Sequence, residues 1–278
     1  MAAPDIDDAF VKQFESEAIL DYQQMGSKLR NTGLRVKNGV TGSSTTFQRI
    51  GTATVGSKSR EGDIPVSHPD HTPVECTLQD RYVGVYIDKL DELKIQHGER
   101  QAQSTNLSSA MGRDTDDIIL TEMDNSANAN NNGTATTWTT AAAVIAYMEY
   151  MGKASVPFDG NLYCVCPWEA WGDLLDIDEF SNADYVPSAE LWSQGVTAKK
   201  WLGINFFPHE NLNLDGSNDA KGFFYHGPSV GHAFGQDLQL DMDWIPTKRS
   251  TLAAGEMSHG AKIIDDTGVI EYIYDITP

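Results

Sequence analysis

A stretch of alternating, β-branched and aromatic residues at Ser44–Ile50 (STTFQRI) and a second one at residues 72–87 (TPVECTLQDRYVGVYI) both favour strand. Between them, residues 52–70 (TATVGSKSREGDIPVSHPD) are polar, carry glycine and proline, and offer few side chains for a core. The pattern predicts an extended two-stranded excursion with a flexible tip. A hairpin of that length does not hold itself together in water, so it must lie on a surface outside itself. Whatever the chain folds into must supply that surface or leave it to a neighbour.

Charge narrows the choice. The chain carries 40 acidic and 20 basic side chains, a net of −20 and a pI near 4.5. A protein that grips nucleic acid by neutralising phosphates presents a basic surface, so direct DNA or RNA readout is excluded. The charge is also segregated. From Tyr22 to Arg60 there is no Asp or Glu, while Lys28, Arg30, Arg35, Lys37, Arg49, Lys58 and Arg60 give this stretch +7 and leave −27 for the rest of the −20 total. From Met111 to the end there are 25 acidic and 8 basic residues. The plain reading of a basic run is a solvated arm. The sharper one is an arm that finds its counter-charge on another copy, a head-to-tail contact that builds rings or lattices rather than a closed dimer.

The 278 residues suit one large or two modest domains that bury roughly 70–75% of the unfolded surface. A hydrophobic content of 40% argues against wholesale disorder. Three cysteines make no paired disulfide framework and suit a reducing compartment. The start, MAAPDIDDAF, does not read as a secretory signal, and the longest apolar run, residues 141–146, is too short to span a bilayer, so a soluble protein made in a cytoplasm is expected.

Along the chain, Phe10, Phe14, Ala18, Ile19, Tyr22 and Met25 recur at helical steps behind Asp7 or Asp8 as N-cap and predict an amphipathic helix over 9–30. After Ile87 come a short helix, a break near Gly98 and a long helix over 99–123 with an apolar stripe at Leu107, Ala110, Met111, Ile118, Ile119 and Met123. A polar loop, NSANANNNGTATTW, precedes a helix over 139–152, a strand over 161–166, a helix opened by Pro167, a helix or loop at 188–200 and a strand at 203–207. The end is read as short strands: GFFYH, LQLDMDWI, AKIIDD and GVIEYIYDI. All six tryptophans lie at or beyond Trp138, which places the main core in the middle of an α+β chain.

Catalytic signatures are weak. Gly227-Pro228-Ser229-Val230-Gly231 matches G-x-S-x-G, with His232, Asp237 and a later His259 as partners, but the following residues lack the helix a nucleophile elbow requires. Cys164 and Cys166 are expected on opposite faces of a strand, as small core residues rather than ligands of one ion. The histidines form no metal-binding spacing, Asp215–Asp219 reads as a polar turn, and Asp176, Asp178, Glu179 and Asp184 read as a solvated face. The Asn-x-Ser/Thr matches at Asn106 and Asn132 carry no meaning without secretion. With no phosphate loop or dinucleotide fingerprint, no cofactor and no metal are expected.

The order of parts resembles a known family. FVKQFESEAILDYQQMGSKLRNT, then STTFQRIG entering a basic glycine-rich tip, then HTPVECTLQDRYVGVYIDKLDEL leading to a helix that ends GRDTDDIILTEMD, with NLYCVCPWEAWGDLL and FFYHGPSVGHAFGQDL later, is similar to the major capsid proteins of tailed bacteriophages. The likeness implies the Hong Kong 97 type capsid fold. Residues 1–40 would then be the N-terminal arm and 41–86 the extended E-loop. Residues 87–124 with 237–278 would form the peripheral domain with its spine helix, and 125–236 the axial domain. It also implies a structural, non-enzymatic subunit of pentamers and hexamers in an icosahedral head, assembled in the host bacterial cytoplasm. The head would enclose double-stranded DNA behind an anionic wall that does not adsorb it.

No long N-terminal scaffolding extension is recognised, so a separate scaffolding protein is expected, beside a portal and a decoration protein, and no membrane. Lys58 sits where one relative forms a covalent cross-link, which is not expected here. The contacts expected between subunits use Lys28, Arg30, Arg35 and Lys37 in the arm, and Arg49, Lys58, Arg60 and Glu61 in the loop. Their counter-charges would be Asp88, Asp91, Glu92, Asp114, Asp116 and Asp117. The alternatives are an encapsulin-like compartment shell and, remotely, a serine hydrolase built on Ser229.

Overall fold

The computed structural model describes residues 23–92, 98–128, 134–181 and 198–276. Residues 23–34 are irregular chain with bends and one turn, and lead into a short strand, β1 (Arg35–Lys37). The excursion comes next as β2 (Ser44–Ile50) and β3 (His71–Thr77), antiparallel from Ser44 opposite Thr77 to Ile50 opposite His71. Residues 72–87 are therefore two strands rather than one. At Leu78, whose N–H donates to the Ser43 carbonyl, pairing with β2 ends, and β4 (Gln79–Asp88) joins another sheet. Helix α1 (Lys89–Glu92) is short; α2 (Glu99–Met123) begins after Gly98, where the break is expected. Then come α3 (Ala141–Lys153), β5 (Leu162–Cys166), α4 (Trp168–Asp176), α5 (Asp178–Ser181), β6 (Lys199–Trp201) and β7 (Ile204–Pro208). The chain ends with β8 (Ala220–His226), β9 (Val230–Ile245), β10 (Ser250–Ile263) and β11 (Val269–Tyr274).

One sheet has the order β11-β8-β5-β7-β6, another β1-β9-β10-β4, and β2-β3 stand as a pair. Residues two apart on a strand share a face, and this alternation sorts the core. In the five-stranded sheet, Leu162, Cys164, Cys166, Phe206, Phe224, Ile270 and Tyr272 point toward Trp138, α3 and α4. Val165, Phe223, Tyr225 and Val269 point the other way, onto Ile119, Leu120 and Met123 of α2 and onto Leu29 and Leu34. The aromatic side is close-packed: Tyr147 stacks on Phe224 with centroids 4.8 Å apart and Trp138 lies 5.0 Å from Tyr272.

Several expectations change. Cys164 and Cys166 share one face with Val165 on the other, as positions i and i+2 of a strand must, so the expected separation was wrong. Burial pushes the Cys164 thiol up, with a neighbouring Cys166 adding to it, which keeps it protonated and inert. The C-terminal strands are long: β9 and β10 pair along most of their length, and AKIIDD is only the end of β10 running into the turn at Asp266–Gly268. A cut at 236/237 splits β9. The chain crosses from the five-stranded to the four-stranded sheet at the Gly227–Ser229 turn and returns with β11, which pairs with β8. Of the helix expected over 9–30, residues 23–30 are irregular chain with bends, Gly26 at φ +78°, and the remainder lies outside the described residues. Of the 188–200 segment, Lys199 and Lys200 are strand, and 188–197 lie outside the described residues.

Candidate self-association interface

The excursion is anchored at its root and bare at its tip. Phe47 and Cys76 are buried with Ala233 and Ile264, which fixes β2-β3 against β9 and the end of β10. Beyond Ile50, the Gly51 N–H still donates to the Asp70 carbonyl at 2.8 Å and the Thr54 N–H to Ser67 Oγ at 3.0 Å. Nothing in the described chain covers the rest. Val55 is 100% exposed, Val66 74%, Ile64 73% and Ile50 62%, in the same tip that carries Lys58, Arg60 and Glu61. Sequence reasoning singled out the charges and passed over these four apolar residues. Their signal was the presence of Val and Ile in a segment with no core to reach.

The basic residues divide into two groups. Five are engaged within the chain. Lys28 reaches Glu210 at 3.4 Å, Arg30 grips Asp237 with two bonds of 2.9 and 2.6 Å, and Arg49 meets Asp265 at 3.2 Å. Arg35 donates to the Gln48 carbonyl and Lys37 to Thr45 Oγ1. Lys58 and Arg60 stand exposed, with no ion pair among the described residues.

The carboxylates divide as well. Asp116, expected as a surface counter-charge, is fully buried. It accepts bonds from Gln24 Nε2 and Ser27 Oγ at 2.5 Å, from the Lys28 and Leu29 N–H groups at 3.0 and 3.1 Å, and faces His209 Nε2 at 3.0 Å. Burial alone would raise its pKa, but the bonds from His209, Ser27 and the two backbone N–H groups outweigh it and hold the carboxyl below its ordinary range. Asp116 is therefore a clamp that fastens residues 24–29 to α2. Gly112 permits the contact: a Cβ there would sit 2.5 Å from Gly26. Asp114 faces Arg81 at 3.3 Å and His259 at 3.6 Å. Asp88 accepts from the Leu90 N–H at the start of α1 and remains exposed beside Asp91; Glu92 closes α1. Asp117 is open to solvent on one side, and partial loss of water on the other, then the Asp114 charge, push its carboxyl above the ordinary range. With Glu122, Thr77, Gln79 and Arg81 it lines a groove of about 200 Å³, in which Glu122 is paired with Lys262 at 2.7 Å and Asp117 has no ion pair among the described residues.

The catalytic alternative fails on geometry. Ser229 lies in a 3-10 turn followed by β9, not by a helix. Its nearest histidines are engaged elsewhere: His226 faces Asp159 at 3.3 Å, and His232 Nε2 lies 3.1 Å from His259 Nδ1. Among the described residues no group of three or more His, Cys, Asp or Glu is placed to hold a metal ion, and no helix is long and apolar enough to cross a membrane.

Comparison with known proteins points one way. Residues 6–275 match the family described as phage capsid protein. The capsid structure of cyanophage P-SCSP1u superposes with a TM-score of 0.75 at 15% identity, covering 99% of this chain and 96% of that one. The capsid of a native GTA particle gives 0.72 at 14%, covering 96% of each chain. The cyanophage Pam1 capsid asymmetric unit gives 0.71 at 15%, covering 99% of each. At these identities the likeness is one of fold. No curated protein sequence matches the chain.

Proposed function

Since this chain belongs to the phage capsid protein family and has the Hong Kong 97 type capsid fold, we propose how this structural major capsid protein joins its copies into the head. The observation that carries the reading is the uncovered tip, where Val55, Ile64 and Val66 stand exposed beside unpaired Lys58 and Arg60. A surface that is apolar and basic at once is complementary to an apolar, acidic one. On the next copy, Asp117 in the groove it shares with Glu122 and Arg81, with the exposed Asp88 and Asp91 beyond it, offers the counter-charge. Head-to-tail contacts of that kind close into pentamers and hexamers and then an icosahedral shell. Arg49, held by Asp265, steadies the root of the excursion, and Glu61 stands in the tip outside this charge pairing. Lys28, Arg30, Arg35 and Lys37 act inside the subunit, setting the angle at which the excursion leaves.

The remaining parts of the reading come from shell building. The head encloses double-stranded DNA without reading its sequence, because the body is anionic. A separate scaffolding protein, a portal and a decoration protein complete the assembly in the host cytoplasm, and the chain itself performs no catalysis. Reversing Lys58 and Arg60 to Glu stops assembly before closed shells, and adding Asp117→Lys restores part of it. Negative-stain microscopy of the purified protein reads both. Normal shells from the Lys58→Glu/Arg60→Glu chain would refute the contact.

A further inference from the structure

Resting on the head-to-tail contact above, we infer that β4 of one copy takes residues 53–57 of a second copy as an added antiparallel strand along its open edge. Strand β4 is ten residues long, stands at one side of its sheet and pairs only with β10. Register decides which of its backbone groups are left over. The Lys89 N–H donates to the Arg249 carbonyl at 3.4 Å, one step beyond the pairing of Asp88 with Ser250. Bonded pairs alternate in an antiparallel ladder, so Ile87, Val85, Val83 and Arg81 bond β10, while Asp88, Tyr86, Gly84, Tyr82 and Asp80 turn their N–H and C=O groups outward. On that outward side the Leu78 N–H still donates to Ser43; from Asp80 to Asp88 no backbone bond reaches it among the described residues.

An edge of this length is usually blunted by proline, lysine or a bulge. Strand β4 has no proline and no lysine, and its pairing with β10 runs without a break. Its odd-numbered residues face α2, where Val83 packs beside Met111 and Arg81 meets Asp114. On the opposite face Gly84 leaves a gap between Tyr82, 74% exposed, and Tyr86, which stays 50% exposed with Lys248 3.8 Å from its ring.

Charge and sequence choose the occupant. A second β4 is a poor one, because antiparallel pairing centred on Gly84 sets Asp80 against Asp88. Register also places Glu256, Asp241 and Asp243 on the tyrosine face, which favours a strand that brings cations. The excursion brings Lys58 and Arg60. Of its two sides, residues 62–70 contain Pro65 and Pro69, which lack the N–H that a ladder needs, whereas 52–57 (TATVGS) contain no proline, hold Thr52, Thr54 and Val55, and lie in no strand of their own copy. Val55, fully exposed, fits opposite Gly84 between the two tyrosines. The antiparallel direction then sets Lys58 opposite Arg81, which Asp114 already holds, and Arg60 opposite Gln79, at the groove those two residues share with Asp117. Ala53, Val55 and Ser57 exchange backbone bonds with Tyr86, Gly84 and Tyr82.

Hydrogen exchange tests this in the unmodified full-length chain. The amides of Tyr82, Gly84 and Tyr86, and those of Ala53, Val55 and Ser57, should exchange at least ten-fold more slowly in shells than in free subunits. Equal rates overturn the inference, and so does slowing on β4 without slowing at 53–57. A Val55→Cys/Gly84→Cys chain gives a second reading, since the native cysteines are buried and a Cβ at Gly84 meets nothing nearer than 3.4 Å. Bonded strand neighbours lie about 5.5 Å apart at Cα, within reach of a disulfide, so mild oxidation of shells should link one copy to the next. Links within one chain, or none in intact shells, overturn the added strand; should this chain not assemble, exchange in the unmodified chain decides. Normal shells from Lys58→Glu/Arg60→Glu refute the tip contact as a whole, whereas blocked assembly of that chain with unslowed β4 amides in parent shells refutes the added strand alone.

Discussion

Strands β8 and β11 of the five-stranded sheet are buried along almost their whole length, with only Lys221 of β8 partly exposed. In the four-stranded sheet, β4 exposes every second residue from Tyr82 to Tyr86, and β9 exposes nearly everything beyond Gln236. Both sheets obey the same alternation. The difference is cover: α3 and α4 close one face of the first sheet and α2 with residues 29–34 closes the other, whereas the second has α2 on part of one face and the root of β2-β3 on part of the other. A subunit built this way has one half that completes itself and one half whose completion is left to other segments or other copies.

Breaking the self-sufficient half should cost most. Phe224→Ala removes a side chain packed on Tyr147, Tyr272 and Phe206 and should lower the unfolding free energy of the free chain by about 4 kcal/mol in a urea titration. Next comes the joint between the halves. Asp116→Ala leaves Gln24, Ser27, His209 and two N–H groups without their acceptor and should cost about 3 kcal/mol. The sign with pH is set by its lowered pKa. The clamp's contribution is fully present above the ordinary carboxyl value of 3.8 and is lost as pH falls through the lower folded value, so Asp116→Asn should flatten that acid limb.

A smaller effect comes from the uncovered sheet's own interior. His232 is fully buried against His259 and Phe234, near Arg30, Asp116 and Asp237. Burial first, then the His259 and Arg30 charges, push its pKa down from 6.5 to about 3. A folded value below the unfolded one means stability is complete above 6.5 and declines as pH falls toward 3, by at most about 1.4 kcal/mol per pH unit. A His232→Phe chain should lose less between pH 6.5 and 5.5 than the parent in urea titrations at the two pH values. Parallel losses would place the acid sensitivity elsewhere.

How far these features were legible depends on how local their cause is. The excursion was readable because strand alternation and the turn residues of 52–70 lie in the segment itself. The long helix was readable from the spacing of Leu107, Met111 and Ile118. The split at Leu78 was not, because β3 and β4 are equally strand-like and differ only in partner: Thr77 pairs with Ser44, and Gln79 with His259. Asp116 sits in the run DTDD and reads as a solvated helix carboxylate; what buries it are donors more than eighty residues away. The same holds for β11, which nothing in GVIEYIYDI assigns to β8 rather than β10. The charge segregation was real, but the arm's cations find partners on the surface of their own subunit.

The smallest effect on the free chain should accompany the largest effect on the particle. Val55 touches nothing that shields it and Ile64 is nearly as bare, so Val55→Asp/Ile64→Asp removes no contact within the subunit and introduces charges that water solvates. The urea midpoint should shift by no more than about 0.5 kcal/mol in equivalent free energy. In a shell the same two carboxylates would be pressed, together with Glu61, toward a groove lined by Asp117 and Glu122. Like charges brought together without water repel, and the apolar area they replace no longer drives the contact. Sedimentation should then show subunits or small capsomers where the parent chain gives shells. A fall of more than about 1 kcal/mol in the free chain, or shells at the parent's yield, would mean that the excursion is held by its own subunit and that the contrast between the two halves does not govern assembly.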